Sequence, residues 1–248
     1  MTTQLLAIDA STGQVEIALA CAGGVHVLTL AGGAQASQQL LPELAALCLR
    51  AGCTLSQLDA VAYGAGPGAF TGLRTACSVA QGLAYGLDRP ILALDTLSVV
   101  AESAVLQGAP DLLWAALDAR MGEVYGAPMQ RLAPGRWRSL HASSVYTPQS
   151  LLDKVVATAF SDVLAGPAVV AYPLLTAGNH RWPLARPGGV ALAKVAQAAW
   201  EDGQARPAHE ALPLYGRDKV AQTSAERLAA RASGRAAAPA APALHTPT

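Results

Sequence analysis

Leu5, Leu6, Ala7 and Ile8 form an apolar run that stops at Asp9. Beyond a Ser-Thr-Gly turn, Val15, Ile17, Leu19 and Cys21 fall on alternate positions, the period of a half-buried strand. A third strand is expected after Gly23 and Gly24. From Ser37 the period changes: Leu40, Leu41, Leu44, Leu47 and Cys48 keep helical spacing, Gly52 is placed to end the helix, and Pro42 lies near its first turn, where proline costs least. A strand over Asp59 to Gly64, a glycine-rich loop, a helix from about Thr71 to Leu87, a strand at Ile91 to Leu94 and a further helix complete the order βββαβαβα.

Three antiparallel strands followed by alternating strands and helices is the order of a ribonuclease-H-like fold, a mixed sheet with helices on both faces. The pattern then starts again. Asp9-Ala-Ser-Thr-Gly13-Gln-Val15 reappears as Asp118-Ala-Arg-Met-Gly122-Glu-Val124, each copy after an apolar strand. Two unrelated hairpins built from common turn residues would make the same match; duplication of the fold is the reading that also explains the shared strand, turn, strand context. It predicts an α/β chain of the actin-like (ASKHA) kind, with one ribonuclease-H-like lobe over residues 1–106 and a second over 107–223. In the second half, strands are expected near Leu112 to Leu117, Val124 to Met129 and Trp137 to His141, and helices near Pro148 to Val156 and Gly189 to Trp200. Proline and glycine at 166, 167, 173, 178, 183, 187, 188 and 189 break up the stretch between these helices. Residues 224–248 turn to Ala, Arg and Pro without apolar periodicity and read as a flexible tail.

Composition changes this picture little. With 52% hydrophobic and 14% charged residues, 248 residues can bury a substantial core. The formal net charge of zero gives no long-range attraction to nucleic acid, so contact with RNA needs a local patch or a partner. Arg131, Arg136 and Arg138 around Trp137 form one such cluster, although charges on a hairpin edge serve equally to block strand pairing. Cys21, Cys48, Cys53 and Cys77 sit on or beside apolar segments and read as reduced packing residues. The N-terminus lacks the basic and apolar regions of a signal peptide, and no run reaches the roughly 18 apolar residues of a spanning helix; a cytoplasmic protein away from membranes is expected.

Candidate chemistry concentrates in two places. Asp9 at a strand end with Ser11, Thr12 and Gly13 matches the phosphate hairpin of an actin-like cleft, and equally a capped turn after a strand. In its second copy Arg120 and Met121 replace the small hydroxyls, which impairs a shared kinase cleft. The loop Gly64-Ala-Gly66-Pro67-Gly68-Ala-Phe70-Thr71-Gly72-Leu73-Arg74 joins a strand to a helix, where backbone amides hold anions. Thr71 as N-cap would put Arg74 in the first turn, opposing the helix dipole unless an anion or a partner's carboxylate sits there; pointing into solvent is the other solution. No Lys-Ser or Lys-Thr follows the glycines, so this is not a P-loop. On the next helix Ala76, Ala80 and Ala84 form one small-residue stripe and Ser78, Gly82 and Gly86 another. Either both pack inside, or one lies on the sheet while the other receives a foreign helix. Histidines 26, 141, 180, 209 and 245 are scattered, with neither H-E-x-x-H nor H-x-x-x-H, and no metal site is expected. No G-x-S-x-G occurs.

The stretch AYGAGPGAFTGLRTACSVAQGLAYG closely resembles the A-Y-G-x-G-P-G-S-F-T-G-[LV]-R segment and following helix of the TsaB (YeaZ) family, and LDARMGEVY at Leu117 to Tyr125 resembles that family's I-D-A-R-x-G-E-V-Y. LLAIDAST, QQLLPEL and Pro213-Leu-Tyr215-Gly-Arg217 fit in order, so the likeness covers about residues 4–220. Ala69 stands where the family usually has Ser, and Ala36 precedes Ser37 where members commonly have His. The resemblance implies an actin-like fold without its own catalytic cleft, acting as a non-catalytic subunit in tRNA N6-threonylcarbamoyladenosine formation. Its partners would be a TsaD-type catalytic subunit, a TsaE-type ATPase, a second copy of itself, and tRNA through the complex. Docking would use the first two helices, with Leu40, Leu41, Leu44, Leu47, Ala76, Ala80, Gly82 and Leu83 as interface candidates. No tightly bound cofactor is expected; ATP or ADP at the subunit interface would lie near Asp9, Ser11, Thr12, Gly13, Gly66, Gly68, Thr71, Gly72 and Arg74. An actin-like phosphotransferase using Asp9 and Asp118 is the alternative, and a glycoprotein peptidase a third reading that the absent metal motif disfavours.

Overall fold

The structure is a computed structural model, which describes residues 3–33, 36–158, 162–178 and 180–216; the tail expected over 224–248 lies outside them. Strands β1 (Leu5–Asp9), β2 (Gln14–Cys21) and β3 (Gly24–Ala31) form an antiparallel meander, followed by helix α1 (Ala36–Ala51), strand β4 (Ala60–Gly66), helix α2 (Phe70–Gly86), strand β5 (Ile91–Asp95) and helix α3 (Thr96–Leu106). The sheet order is β3-β2-β1-β4-β5, with β1, β4 and β5 parallel. Every residue of β1 and β4 is buried, which is why both read as continuous apolar runs, whereas the edge strand β3 alternates exposed and half-buried positions.

The second half repeats this plan. Strands β6 (Leu112–Arg120), β7 (Glu123–Ala133) and β8 (Arg136–Ser139) make the meander; β9 (Ser144–Tyr146), α4 (Pro148–Ala157), β10 (Val163–Ala165), α5 (Ala168–Ala171), β11 (His180–Trp182) and α6 (Gly189–Glu201) follow. The order β11-β10-β6-β7-β8 is that of the first sheet, with β9 added on β7. The copies also share a corner that the sequence reading overlooked: Ala65-Gly66-Pro67 ends β4 and Ala165-Gly166-Pro167 ends β10, both glycines with positive φ (131° and 124°). What differs is length. The helix after this corner runs 17 residues in the first half and four in the second, and β10 and β11 have three residues each. Elements this short carry no readable period.

Each half covers its sheet with the other half's last helix. Leu192, Val195, Ala196 and Ala199 of α6 pack on Leu5, Ala7, Ala62 and Leu92 of the first sheet. Leu97, Val100, Ala101 and Ala104 of α3 pack on Leu113, Ala115, Leu117 and Met129 of the second. The two sheets therefore share one helical layer, and residues up to Gly216 form one compact unit.

A buried carboxylate fastens that layer to the second sheet. Glu102 of α3 is fully buried and accepts from Arg131 Nη2 (2.9 Å), the Gly135 amide (3.1 Å) and Trp137 Nε1 (2.9 Å). Arg136 pairs with Glu201 and Asp202 at 2.8 and 2.9 Å, and Arg138 donates to Gln130. The basic cluster around Trp137 is thus engaged by the protein itself, as a structural hairpin edge. Glu102→Ala would strand a guanidinium, an indole and an amide together. It is expected to lower the unfolding free energy by about 3 kcal/mol, with a smaller loss for Glu102→Gln, read by urea denaturation.

Candidate functional site

The first hairpin is built around a buried acid. Asp9 is 1% exposed, and its Oδ1 accepts from the Ser11 amide (2.8 Å) and hydroxyl (2.6 Å). Oδ2 packs against Gly64, where an added Cβ would lie 1.8 Å from it, and has no partner in hydrogen-bond geometry. The equally buried Thr96 hydroxyl is its neighbour. Burial pushes the Asp9 pKa up to about 6, against the opposing pull of the Ser11 bonds; Glu16, its cross-strand partner, adds to the rise. Glu16 is itself shifted upward by burial, opposed by the Thr29 hydroxyl bond and by Arg186.

The glycine loop is spent on the chain's own backbone. An added Cβ at Gly66 would lie 2.4 Å from the Leu214 carbonyl oxygen, at Gly68 2.5 Å from Ser11 Cβ, and at Gly72 1.8 Å from the Ala10 carbonyl oxygen. The Ala69 amide donates to the Ser11 carbonyl (2.7 Å), and the Leu214 amide to the Ala65 carbonyl (2.7 Å). The expectation that Gly66, Gly68 and Gly72 clear room for an anion is corrected: they let the loop close on the 9–13 hairpin and the 212–216 segment cross it. Two further corrections concern the helix start. Ala69, not Thr71, is the N-cap of α2, with the Leu73 amide bonded to the Ala69 carbonyl (2.9 Å). That places Arg74 beyond the first turn, where Nε donates to the Tyr215 hydroxyl (3.0 Å) and the guanidinium lies 4.1 Å from the centre of the Phe70 ring.

A cleft of about 490 Å³ remains open beside this closure, lined by Thr12, Gly13, Gln14, Gly32, Gly33, Thr71, Gly72 and Thr75 of the first half and by Arg120 of the second. The cleft takes in Thr12, Gly13, Thr71 and Gly72 of the residues expected there, leaves Asp9 and Ser11 buried beneath, and excludes Gly66, Gly68 and Arg74. Thr75 and Arg120 were not foreseen as lining it. The Arg120 signal stood in the second hairpin copy, where an arginine replaces a small hydroxyl residue. Its backbone adopts φ 63°, its amide donates to Asp118 Oδ1 (2.8 Å) and its Nη1 lies 3.3 Å from Asp118 Oδ2. The Tyr172 hydroxyl, 2.7 Å away, also donates to Asp118 Oδ1. Asp118 is therefore held by its surroundings, while Asp9 is buried with Oδ1 bonded and Oδ2 without a partner. Among the described residues no three His, Cys, Asp or Glu side chains come together to hold a metal ion.

The interface candidates divide sharply. Leu40, Leu44, Leu47, Ala76 and Ala80 are buried in the first half's own core, so their expected role in receiving a partner is corrected to packing. Leu41 and Gly82 are exposed and Leu83 is half-buried. The stripe Ala76, Ala80 and Ala84 faces the sheet, while Ser78, Gly82 and Gly86 face outward; on α1, Leu41 (50%) and Leu49 (82%) are exposed. At the end of α1, Gly52 (φ 66°) and a Cys53 amide to Cys48 carbonyl bond (3.1 Å) complete the turn that ends the helix. Burial raises the Cys53 thiol to about 11, that of an unreactive packing residue.

Two copies of a five-stranded mixed sheet, an acid-centred hairpin in each and exchanged last helices define an actin-like protein of duplicated ribonuclease-H-like halves. A family model described as "TsaD: tRNA N6-adenosine threonylcarbamoyltransferase" matches residues 23–156. The tRNA threonylcarbamoyladenosine biosynthesis protein TsaB of Escherichia coli K12 is 32% identical over 224 residues, 88% of this chain and 96% of its own; that of Haemophilus influenzae is 31% identical over 226 residues, 87% and 94%. YeaZ from Pseudomonas aeruginosa superposes with a TM-score of 0.76 at 36% identity, covering 86% of this chain and 99% of that one. The chain belongs to the TsaB (YeaZ) family.

The buried acid sets a pH test. An acid whose pKa rises from 3.8 to about 6 on folding holds its proton more tightly when folded, so stability grows as pH falls through about 6 and the gain is complete below the unfolded value. Asp9→Asn is expected to keep the fold, to be at least as stable as the parent near neutral pH, and to lose this part of the acid-side gain. Urea denaturation of both proteins at several pH values reads the difference. Gly72→Ala drives a methyl into the Ala10 carbonyl and is expected to lower the melting temperature by several degrees.

Proposed function

We propose that this chain is a non-catalytic subunit in tRNA threonylcarbamoyladenosine biosynthesis that docks a TsaD-type catalytic subunit on the outer faces of α1 and α2. The observation that carries the reading is Gly82. It lies inside a 17-residue helix, where glycine costs about 1 kcal/mol relative to alanine. An added Cβ there would meet nothing within 4 Å of its own chain. Nothing inside the molecule needs a glycine at that position; a second helix approaching closely would. Leu41 and Leu49 of α1 add apolar surface that stays wet in the single chain.

The burial of Asp9 and the bonding of Asp118 support assigning the chemistry to the partner. In an actin-like phosphotransferase these positions face the phosphates; here Asp9 is sealed beneath Gly64 and the 66–72 loop, and Asp118 is held by Tyr172 and Arg120. The acyl transfer from a threonylcarbamoyl adenylate to the tRNA adenosine then belongs to the catalytic subunit, with this chain holding that subunit in its working arrangement. A nucleotide would fit the open cleft rather than the glycine loop: Thr12 and Thr71 supply hydroxyls, the unshared amides at the start of α2 favour negative charge, and Arg120 faces them from the other half. There the chain's residues would hold and orient phosphates at the subunit boundary, where a TsaE-type ATPase also acts. A homodimer through the same helical face would compete with the heterodimer for one surface.

Gly82→Trp is expected to abolish co-elution with the TsaD-type subunit and reduce reconstituted tRNA modification at least tenfold, while circular dichroism and melting temperature stay unchanged. Unchanged co-elution would overturn the docking reading, and modification of tRNA by this chain alone would overturn the non-catalytic one. Ala80→Trp serves as the contrasting variant: its site is fully buried, so loss of the fold is expected.

A further inference from the structure

Among the described residues most arginines are engaged internally. Arg120, Arg131, Arg136 and Arg181 form ion pairs, Arg138 and Arg186 bond side-chain amides, and Arg74 is held by two aromatic rings. Among the described residues Arg50, Arg89 and Arg206 have neither a carboxylate, a side-chain amide nor a ring as partner, and the last two line the same cleft. Arg89 makes a single hydrogen bond, from Nη2 to the Ser56 carbonyl (3.2 Å). The backbone of Arg206 is pinned by a two-way bridge to Ile91 (2.8 and 2.9 Å), which presents its side chain from a fixed point. The cleft, about 790 Å³, opens between the C-terminal end of α2 and the 205–209 segment; Tyr85 and His209 line it as well, and Asp88 is its one carboxylate. Tyr85 is 79% exposed, far more than a core aromatic, and so offers a free ring face beside the two guanidiniums.

We propose that this cleft binds the phosphodiester backbone of tRNA directly, with Arg89 and Arg206 as phosphate contacts and Tyr85 as a stacking surface for an adjacent base; this goes beyond, and rests on, the reading of the chain as a tRNA-modification subunit. Three properties favour RNA. Guanidiniums without carboxylate partners are available for bidentate phosphate bonds. An exposed ring next to them suits an unstacked base. The cleft is broad and its lining is mostly exposed, whereas a small phosphorylated metabolite needs a site that encloses most of its surface; a polymer backbone needs only a wall to run along. Because the chain's net charge is zero, the attraction is local to this wall and short in reach.

The test is fluorescence anisotropy of the full chain with a labelled, unmodified tRNA transcript over a range of salt concentrations. Salt-dependent binding is expected, with the Arg89→Ala/Arg206→Ala double variant at least tenfold weaker at low salt and its log–log salt slope reduced by about 2, one for each phosphate contact. Tyr85→Ala is expected to weaken binding without changing the slope, and Arg138→Ala, which alters a charge on the hairpin, to change neither. Should the double variant unfold, Arg206→Gln, which keeps the bridge to Ile91, carries the test with a slope change of about 1. Absence of salt-dependent binding by the parent chain, unchanged binding by the arginine variants, or an equal loss in Arg138→Ala would overturn the proposal. So would loss of catalytic-subunit co-elution in the double variant with RNA binding intact, which would make the cleft a protein contact. The docking reading is tested separately by Gly82→Trp and survives any of these results that leave co-elution intact.

Discussion

The rest of this structure depends on the closure of the 66–72 loop against the 9–13 hairpin. Backbone meets backbone there with no side chain between: Gly68 lies on Ser11, Gly72 on the Ala10 carbonyl, and the Ala69 amide donates to the Ser11 carbonyl. Such proximity is open only to glycine. It fixes where α2 begins, which of its faces lies on the sheet, and how deeply Asp9 is buried.

From that closure the chemical character follows. Asp9, cut off from water, carries a raised pKa and an oxygen without a partner, a poor arrangement for holding a hydrated cation or a phosphate and a reasonable one for a buried structural acid. In the second half the same end is reached differently: Asp118 keeps partial exposure but is saturated by Tyr172 and Arg120. Burial at one hairpin and hydrogen bonding at the other engage two equivalent positions, while a cleft lined by hydroxyls and one arginine stays open beside them. The exchanged helices α3 and α6 lie against each other, each completing the core of the other half's sheet.

The surface carries a second division of labour. Alanines 76, 80 and 84 of α2 face the sheet, while its later glycines, Gly82 and Gly86, face water. The outward glycines cost helix stability and meet nothing of their own chain. At the end of that ridge lies the cleft with the guanidiniums of Arg89 and Arg206, neither of them in an ion pair. The two features are neighbours along α2, so a catalytic subunit on the ridge and an RNA in the cleft would lie side by side.

Much of the fold was legible in the chain itself. Strands β1 to β7 and helices α1 to α4 and α6 announced themselves through apolar period and turn residues, and the repeated Asp-Ala-x-x-Gly hairpin disclosed the duplication, because these signals join residues a few positions apart along one covalent path. The roles within the site were not legible in this way. Whether Gly66 faces an anion or Leu214, whether Arg74 meets a ligand or Tyr215, and whether Ala80 or Gly82 looks outward are decided by segments more than a hundred residues distant or by the side of the helix that the sheet covers. Period tells that a helix has two faces of small residues; only the packed chain decides which of them remains uncovered, since burial is a property of the assembled layers and not of the spacing that permits it.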